Sequence, residues 1–200
     1  LVTSKLVYQP SNTVLCKVYL SGDKVINQPF DFSRKNRFTV YDLHSILESV
    51  IFPNAVSKNQ RFNLKNDDYK FLYRYMQMQP QESDFPQYDS NYNGAYSKLL
   101  FYGGKGDMDS NIRIFNKEGD AYGFLTDVSY FVDFKNNVEF FLSANIYCNS
   151  DGIFNDDHYD YETVGYPFLK NLGTVIYQYE LKRNRKRIPD LSTFRFQDSK

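Results

Sequence analysis

The stretch "IRIFNKEGDAYGFLTD", residues 112 to 127, decides how this chain is read. Ile112, Ile114 and Phe115 open it as a strand, which then runs into Lys117-Glu118-Gly119, with a second glycine, Gly123, four residues later. A buried strand gains little from a lysine at its end, and two close glycines weaken a sheet unless backbone must approach something. The segment is therefore either an ordinary bend or the wall of a site.

Working outward, the pattern predicts strands over residues 112–117, 121–134 and 138–147, the last two joined through "KNN" as an antiparallel hairpin. Upstream, "TVLCKVYL" and "KVIN" flank "SGD" as a short hairpin. "TVYDLHSILESVIF" carries Leu43, Ile46, Leu47, Val50 and Ile51 at helical spacing, with Thr39 and Asp42 as a capping box and Pro53 as its stop. "NDDYKFLYRYMQMQ" reads as a second helix with Asn66 as N-cap and Pro80 beyond its end. "AYSKLLFYGG" reads as a short third helix closed by Gly103. Downstream, an acidic loop, "NSDGIFNDDHYDYE", leads to a C-terminal helix on which Phe168, Leu172, Val175, Ile176 and Tyr179 mark the apolar stripe and Pro167 occupies the first turn. Hairpin, helices, three-stranded sheet and helix together predict an α+β fold, an antiparallel sheet with flanking helices. The parts are an N-terminal hairpin and connection (1–38), a helical part (39–104), and strands plus helix (105–200).

With 42% hydrophobic and 24% charged residues, the chain has a globular rather than a disordered composition. Lys+Arg and Asp+Glu both number 24, so no global charge draws it to nucleic acid or an anionic surface. The 18 Tyr and 18 Phe, without Trp, place many rings at the boundary of core and solvent. No run reaches the ~18 apolar residues of a membrane span. Cys16 and Cys148 could form one disulfide, but two free thiols are the simpler reading.

Most candidate motifs have a plain structural explanation. Ser21-Gly22-Asp23-Lys24 fits Ser-x-x-Lys, yet it lies in a hairpin turn that is expected to splay the two side chains apart. His44 borders the stripe of the first helix, and neither it nor His158 sits near a Gly-x-Ser-x-Gly elbow. No zinc spacing occurs, and aligning Gly152 with an EF-hand glycine puts Tyr147 and His158 where acids belong. "KRNRKR", residues 182–187, reads as a solvated helix end. No metal or other cofactor is called for.

The segments "IRIFNKEGDAYGFLTDVSYFVDFKNNVEFFLSANIY" and "DGIFNDDHYDYETVGYPFLKNLG" resemble uncharacterised members of the β-lactamase-like serine hydrolases, the superfamily of class A β-lactamases and penicillin-binding proteins. "NQPFDFSRKNR" and "QRFNLKNDDYKFLYRYM" are similar as well, so the resemblance spans about residues 25–183. It implies the C-terminal half of that fold, in which a serine attacks an amide or lactam carbonyl and forms an acyl-enzyme. Lys117 and Gly119 match the Lys-Thr-Gly motif, whose lysine and glycine contact substrate, and Asp120 would offer its backbone N–H as an oxyanion donor. Glu118 replaces the motif hydroxyl, which sets this chain against carboxylate-bearing substrates. Ser-x-x-Lys at a helix start and Ser-Asp-Asn are both missing, so the chain is expected to be a partial domain without its nucleophile, completed by an upstream segment. The resemblance also implies a small-molecule or peptide amide substrate and a periplasmic or extracytoplasmic location. Two readings stand beside it: a non-catalytic cell-envelope glycan-binding module using exposed tyrosines, and a self-contained hydrolase using His44 or His158.

Overall fold

The computed structural model describes residues 13–196, so the outermost ends of the first and last expected parts lie outside the described residues. In chain order the strands and helices are β1 (Val14–Leu15), β2 (Val18–Ser21), β3 (Lys24–Ile26), β4 (Phe30–Asp31), α1 (Val40–Ile51), α2 (Asn66–Gln77), the one-turn α3 (Leu99–Tyr102), β5 (Ile112–Ala121), β6 (Phe124–Asp133), β7 (Val138–Tyr147), β8 (Ile153–Phe154) and α4 (Tyr166–Lys182). The class is α+β, as predicted.

The antiparallel sheet β5-β6-β7 organises the rest. Its register runs from Ile112↔Asp133 to Ala121↔Phe124, and from Phe124↔Tyr147 to Asp133↔Val138. One face carries Phe115, Val128, Tyr130 and Val132 against Leu47 and Ile51 of α1, Tyr73 of α2 and Phe194. The opposite face carries Ile112, Ile114, Leu125, Phe131 and Ala144 against Leu99, Leu100 and Leu169. Strand alternation sends successive side chains to opposite layers, so both faces of the ten-residue strand β6 are covered. A smaller aromatic cluster (Tyr19, Phe30, Phe32, Tyr122 and Phe154) ties the N-terminal strands and β8 to the tip of the β5–β6 hairpin.

Several expectations are corrected here. The strand does not end at Lys117; it continues through Gly119 to Ala121, and Tyr122 and Gly123, with φ of 54° and 79°, make the two-residue turn. Positive φ at both turn positions is what a type I′ hairpin demands, so Gly123 answers half of the two-glycine question. "TVLCKVYL" is broken at Cys16 (φ 62°): β1 pairs with β4 while β2 pairs with β3 and, in parallel, with β8. Helix α1 carries the predicted box, with Asp42 N donating to Thr39 Oγ1 at 3.0 Å and Thr39 N donating to Asp42 Oδ2 at 3.1 Å. In α2 the N-cap is Lys65, whose N–H donates to Asp68 Oδ2 at 2.7 Å, while Asn66 is already helical. The third helix shrinks to a turn, because Leu100 and Phe101 have non-helical backbone (Phe101 φ 79°).

The stripe of α4 is also rotated from the expectation. Leu169, Gly173 and Glu180 are its buried residues, whereas Phe168, Val175 and Tyr179 are exposed. Gly173 causes this: a Cβ there would lie 2.3 Å from Phe101 N and 2.7 Å from its Cα, so the helix seats its backbone directly against the Leu99–Tyr102 turn. Spacing alone does not distinguish a large apolar side chain facing in from a glycine facing in.

Replacing Gly173 with Ala forces backbone apart and should cost about 1–3 kcal/mol in denaturant-measured stability. Gly119→Ala, with nothing within 4 Å of its added Cβ, should stay within about 0.5 kcal/mol of the parent. Equal losses for the two variants would contradict this packing scheme.

Candidate functional site

Strand β5 is an edge strand, and its two halves differ. From Ile112 to Asn116 it is mostly buried; Lys117, Gly119, Asp120 and Ala121 are exposed and Glu118 is half-buried. A two-residue turn makes Ala121 and Phe124 a hydrogen-bonded pair, and bonded and non-bonded pairs alternate from there. The main-chain N–H and C=O of Lys117, Gly119 and Ala121 therefore face β6, while those of Glu118 and Asp120 face the free edge. The Lys117 ammonium lies at that edge, donating to the Glu118 carbonyl at 2.6 Å. Among the described residues, nothing accepts from the Asp120 N–H. The extended run Lys117-Glu118-Gly119-Asp120 is thus an open main-chain edge with one cation beside it.

The covered half is closed by a buried polar network that the sequence reading did not single out. Lys98, 2% exposed, donates to Asn116 Oδ1 at 2.7 Å and to the Met76 carbonyl, in the last turn of α2, at 2.8 Å. Asn116 Nδ2 donates to Ser97 O at 2.7 Å and to Asp127 Oδ1 at 3.0 Å. Asp127, fully buried, also accepts from Ser129 Oγ at 2.8 Å and from the N–H groups of Leu99 and Leu100 at 3.1 and 2.9 Å. Arg113 adds a pair with Glu82 at 3.0 Å. Burial pulls the Lys98 amine down to about 8, against the restoring charges of Asp127 and Glu118. Burial likewise pushes the Asp127 carboxyl up, opposed by its Leu100, Asn116 and Ser129 donors. The signal was present: a lysine inside "YSKLLFY" and an aspartate inside "FLTDVSYF" are polar residues in apolar runs, which burial forces to find partners.

The other candidates fall as follows. Ser21 and Lys24 are not splayed; they are register partners beside the β2–β3 turn. The pair is exposed and stands at no helix start. His44 Nδ1 meets Ser143 Oγ at 2.8 Å and its ring packs on Phe141, with no carboxylate bonded to it among the described residues. His158 is exposed, with Nδ1 3.6 Å from Asp156 Oδ2. Asp151, Asp156 and His158 bring ligand atoms within 4.8 Å of one another in a loop whose β8 strand and turns bear no resemblance to an EF-hand. Cys16 and Cys148 are free thiols; Cys16 Sγ lies 3.4 Å from Tyr147 Oη and Cys148 is buried. "KRNRKR" begins at the end of α4, with Lys182 its last residue and Arg183 its C-cap, and continues as a loop over residues 184–187. Of the cavities, one of about 10 Å³ lies inside between Phe101, Ser129 and Phe140, and one of about 570 Å³ lies along Arg183–Pro189; neither touches Lys117, Gly119 or Asp120.

No helix among the described residues is long and apolar enough to cross a membrane. No protein-family model, curated protein or solved structure matches the chain.

Lys98→Met removes the donor from two buried acceptors and leaves the Asp127 charge uncompensated, a loss of about 3–5 kcal/mol. The pH dependence has a definite sign. With its folded value near 8 and its ordinary value 10.5, Lys98 holds protons less well folded than unfolded, so its penalty is fully present below pH 8 and is relieved as pH rises. Tyr73, Tyr161 and Tyr177, held up to about 12 by burial, work the other way above pH 10 in parent and variant alike. The stability gap between parent and Lys98→Met should therefore widen from pH 8 to pH 10 in denaturant titrations. A gap that stays constant across that range would show that the amine does not titrate there.

Proposed function

We propose that the open half of β5 is one wall of an acyl-transfer site of the β-lactamase-like serine hydrolase kind, lacking its nucleophile in this chain. The observation that carries the reading is the free edge itself. Lys117 supplies a cation, Gly119 leaves open space where a side chain would stand, and Asp120 turns a bare N–H outward one residue later. An extended amide substrate lying along such an edge gains main-chain hydrogen bonds as an added strand does. An outward N–H is also what an oxyanion needs, and loss of one such donor typically costs about 2.7–4 kcal/mol of barrier. Glu118, whose charge neighbours the cation, favours neutral amides over carboxylates. Extracytoplasmic location and a completing upstream segment belong to the same proposal.

The glycan-binding alternative draws support from several exposed rings. The exposed Tyr88 and Tyr96 flank the half-buried Tyr92 in edge-to-face contacts with centroids 5.0 and 4.8 Å apart, and Phe71 and Tyr75 pair at 4.5 Å on the outside of α2. Sugar rings stack on such faces, far from Lys117 in sequence and in chemistry.

Amide-resolved NMR titration separates the two. An N-acetyl dipeptide amide at millimolar concentration should shift the Glu118, Gly119 and Asp120 amides, more strongly than its free-carboxylate counterpart. Glu118→Thr should narrow or invert that preference, and Lys117→Ala should weaken the carboxylate response most. No covalent label from a fluorophosphonate is expected. Labelling at Ser21, or at Ser143 in a manner abolished by His44→Ala, would replace this reading with a self-contained hydrolase. Saturable polysaccharide binding that survives Lys117→Ala but not Tyr92→Ala would favour the glycan module.

A further inference from the structure

The outer side of α4 and the loop after it share an unusual composition. Phe168, Val175 and Tyr179 are 43, 64 and 61% exposed, and their spacing of seven and four residues puts them on one helix face. Lys182 continues that face one turn later, with Asn171 and Gln178 exposed beside it. Residues 166–189 hold a single acid, Glu180, which is 8% exposed and bound by Arg183 at 2.7 Å.

Beyond the helix, two arginines serve as anchors. Arg183 pairs with Glu180, and Arg185 donates to the carbonyls of Glu180 and Asn137. Lys182, Lys186 and Arg187 have no acidic partner among the described residues. Ile188, next to them, is 80% exposed. Two acids stand nearby: Glu139 in the floor of the 570 Å³ hollow accepts from Tyr130 Oη, and the exposed Asp190 accepts from Ser192 N at 3.0 Å, so the basic residues outnumber them.

We propose that this face docks on an anionic lipid surface, with α4 lying in the plane of the headgroups. The argument is charge complementarity joined to apolar exposure. A helix face with aromatic and aliphatic side chains, Lys182 at its end, Lys186 and Arg187 just beyond and no exposed acid on the helix itself combines hydrocarbon contact with attraction to anionic headgroups. A nucleic acid would use the cations but leave Phe168, Val175 and Ile188 in water. The acyl-transfer reading plays no part in this inference.

Sedimentation of the full chain with vesicles tests it. The chain should partition onto phosphatidylcholine vesicles containing one-third phosphatidylglycerol far more strongly than onto phosphatidylcholine alone, and added salt should reverse the binding. Each basic residue near such a surface is worth roughly fivefold, so the combined Lys182→Gln, Lys186→Gln, Arg187→Gln variant should bind about a hundredfold more weakly. Val175→Ser with Tyr179→Ser should also weaken binding, with unchanged circular dichroism and melting because both residues are exposed. Soluble glycerol phosphate should not compete. Equal partitioning onto neutral vesicles, undiminished binding by the Val175/Tyr179 variant, displacement by glycerol phosphate, or tighter binding to a single-stranded oligonucleotide than to anionic vesicles would each overturn the proposal.

Discussion

The ammonium of Lys98, buried between the last turn of α2 and the sheet, is the interaction on which the rest of the structure depends. It satisfies a helix C-terminal carbonyl that has no partner within its own helix, and through Asn116 it is joined to the buried Asp127 carboxylate. Asp127 in turn receives the two N–H groups of the Leu99–Leu100 turn, against which Gly173 of α4 packs. One polar chain thereby connects both helical layers to the same strand pair. Such a network is costly to assemble and far more costly to break, because each member left alone is an unpaired polar group in a low-dielectric interior. It favours one arrangement of the layers over its alternatives.

That arrangement also sets where the sheet edge is open. A bare strand edge is a hazard that proteins usually cover or blunt. Here the 97–98 segment, the end of α2 and the Arg113–Glu82 pair cover the first half of β5, and the aromatic cluster around Tyr122 closes the hairpin tip. Between the two covers lie Lys117, Glu118, Gly119 and Asp120, with charged side chains and exposed main chain. The charges deter pairing with another edge strand, while Gly119 leaves the space beside its main chain open.

The tyrosines show a second use of polarity. Tyr73 Oη donates to the carbonyls of Val50 and Ile51 at 3.0 and 2.9 Å, closing the end of α1, and Tyr161 Oη accepts the Gly123 N–H at 2.9 Å beside the hairpin turn. Tyr177 Oη donates to Asp133 at 2.6 Å, where the aspartate also caps the β6–β7 turn through Lys135 N and Asn136 N. In each case the ring fills a layer and the hydroxyl satisfies main chain or carboxylate at its rim. These three tyrosines are explained without invoking a ligand, whereas Tyr41, Tyr75, Tyr88, Tyr96 and Tyr179 expose their rings to solvent.

Local chemistry was legible from residues alone wherever its partners are close in sequence. The Thr39–Asp42 box, the α1 apolar face at Leu47 and Ile51, the three long strands and the α+β class all follow from spacing, because capping and amphipathicity act within a few residues. The extent of β5, the shrinking of the third helix to a turn and the inward face of α4 were not legible. They depend on Tyr122 and Gly123 turning the hairpin, on Asp127 capturing two N–H groups, and on Gly173 letting helix backbone approach Phe101. The order of residues thus determined most of the elements and placed a strand up to Lys117, short of Glu118, Gly119 and Asp120. Only the tertiary structure decided that this strand is an edge left open at those four residues, because openness depends on what packs beside a segment from distant parts of the chain.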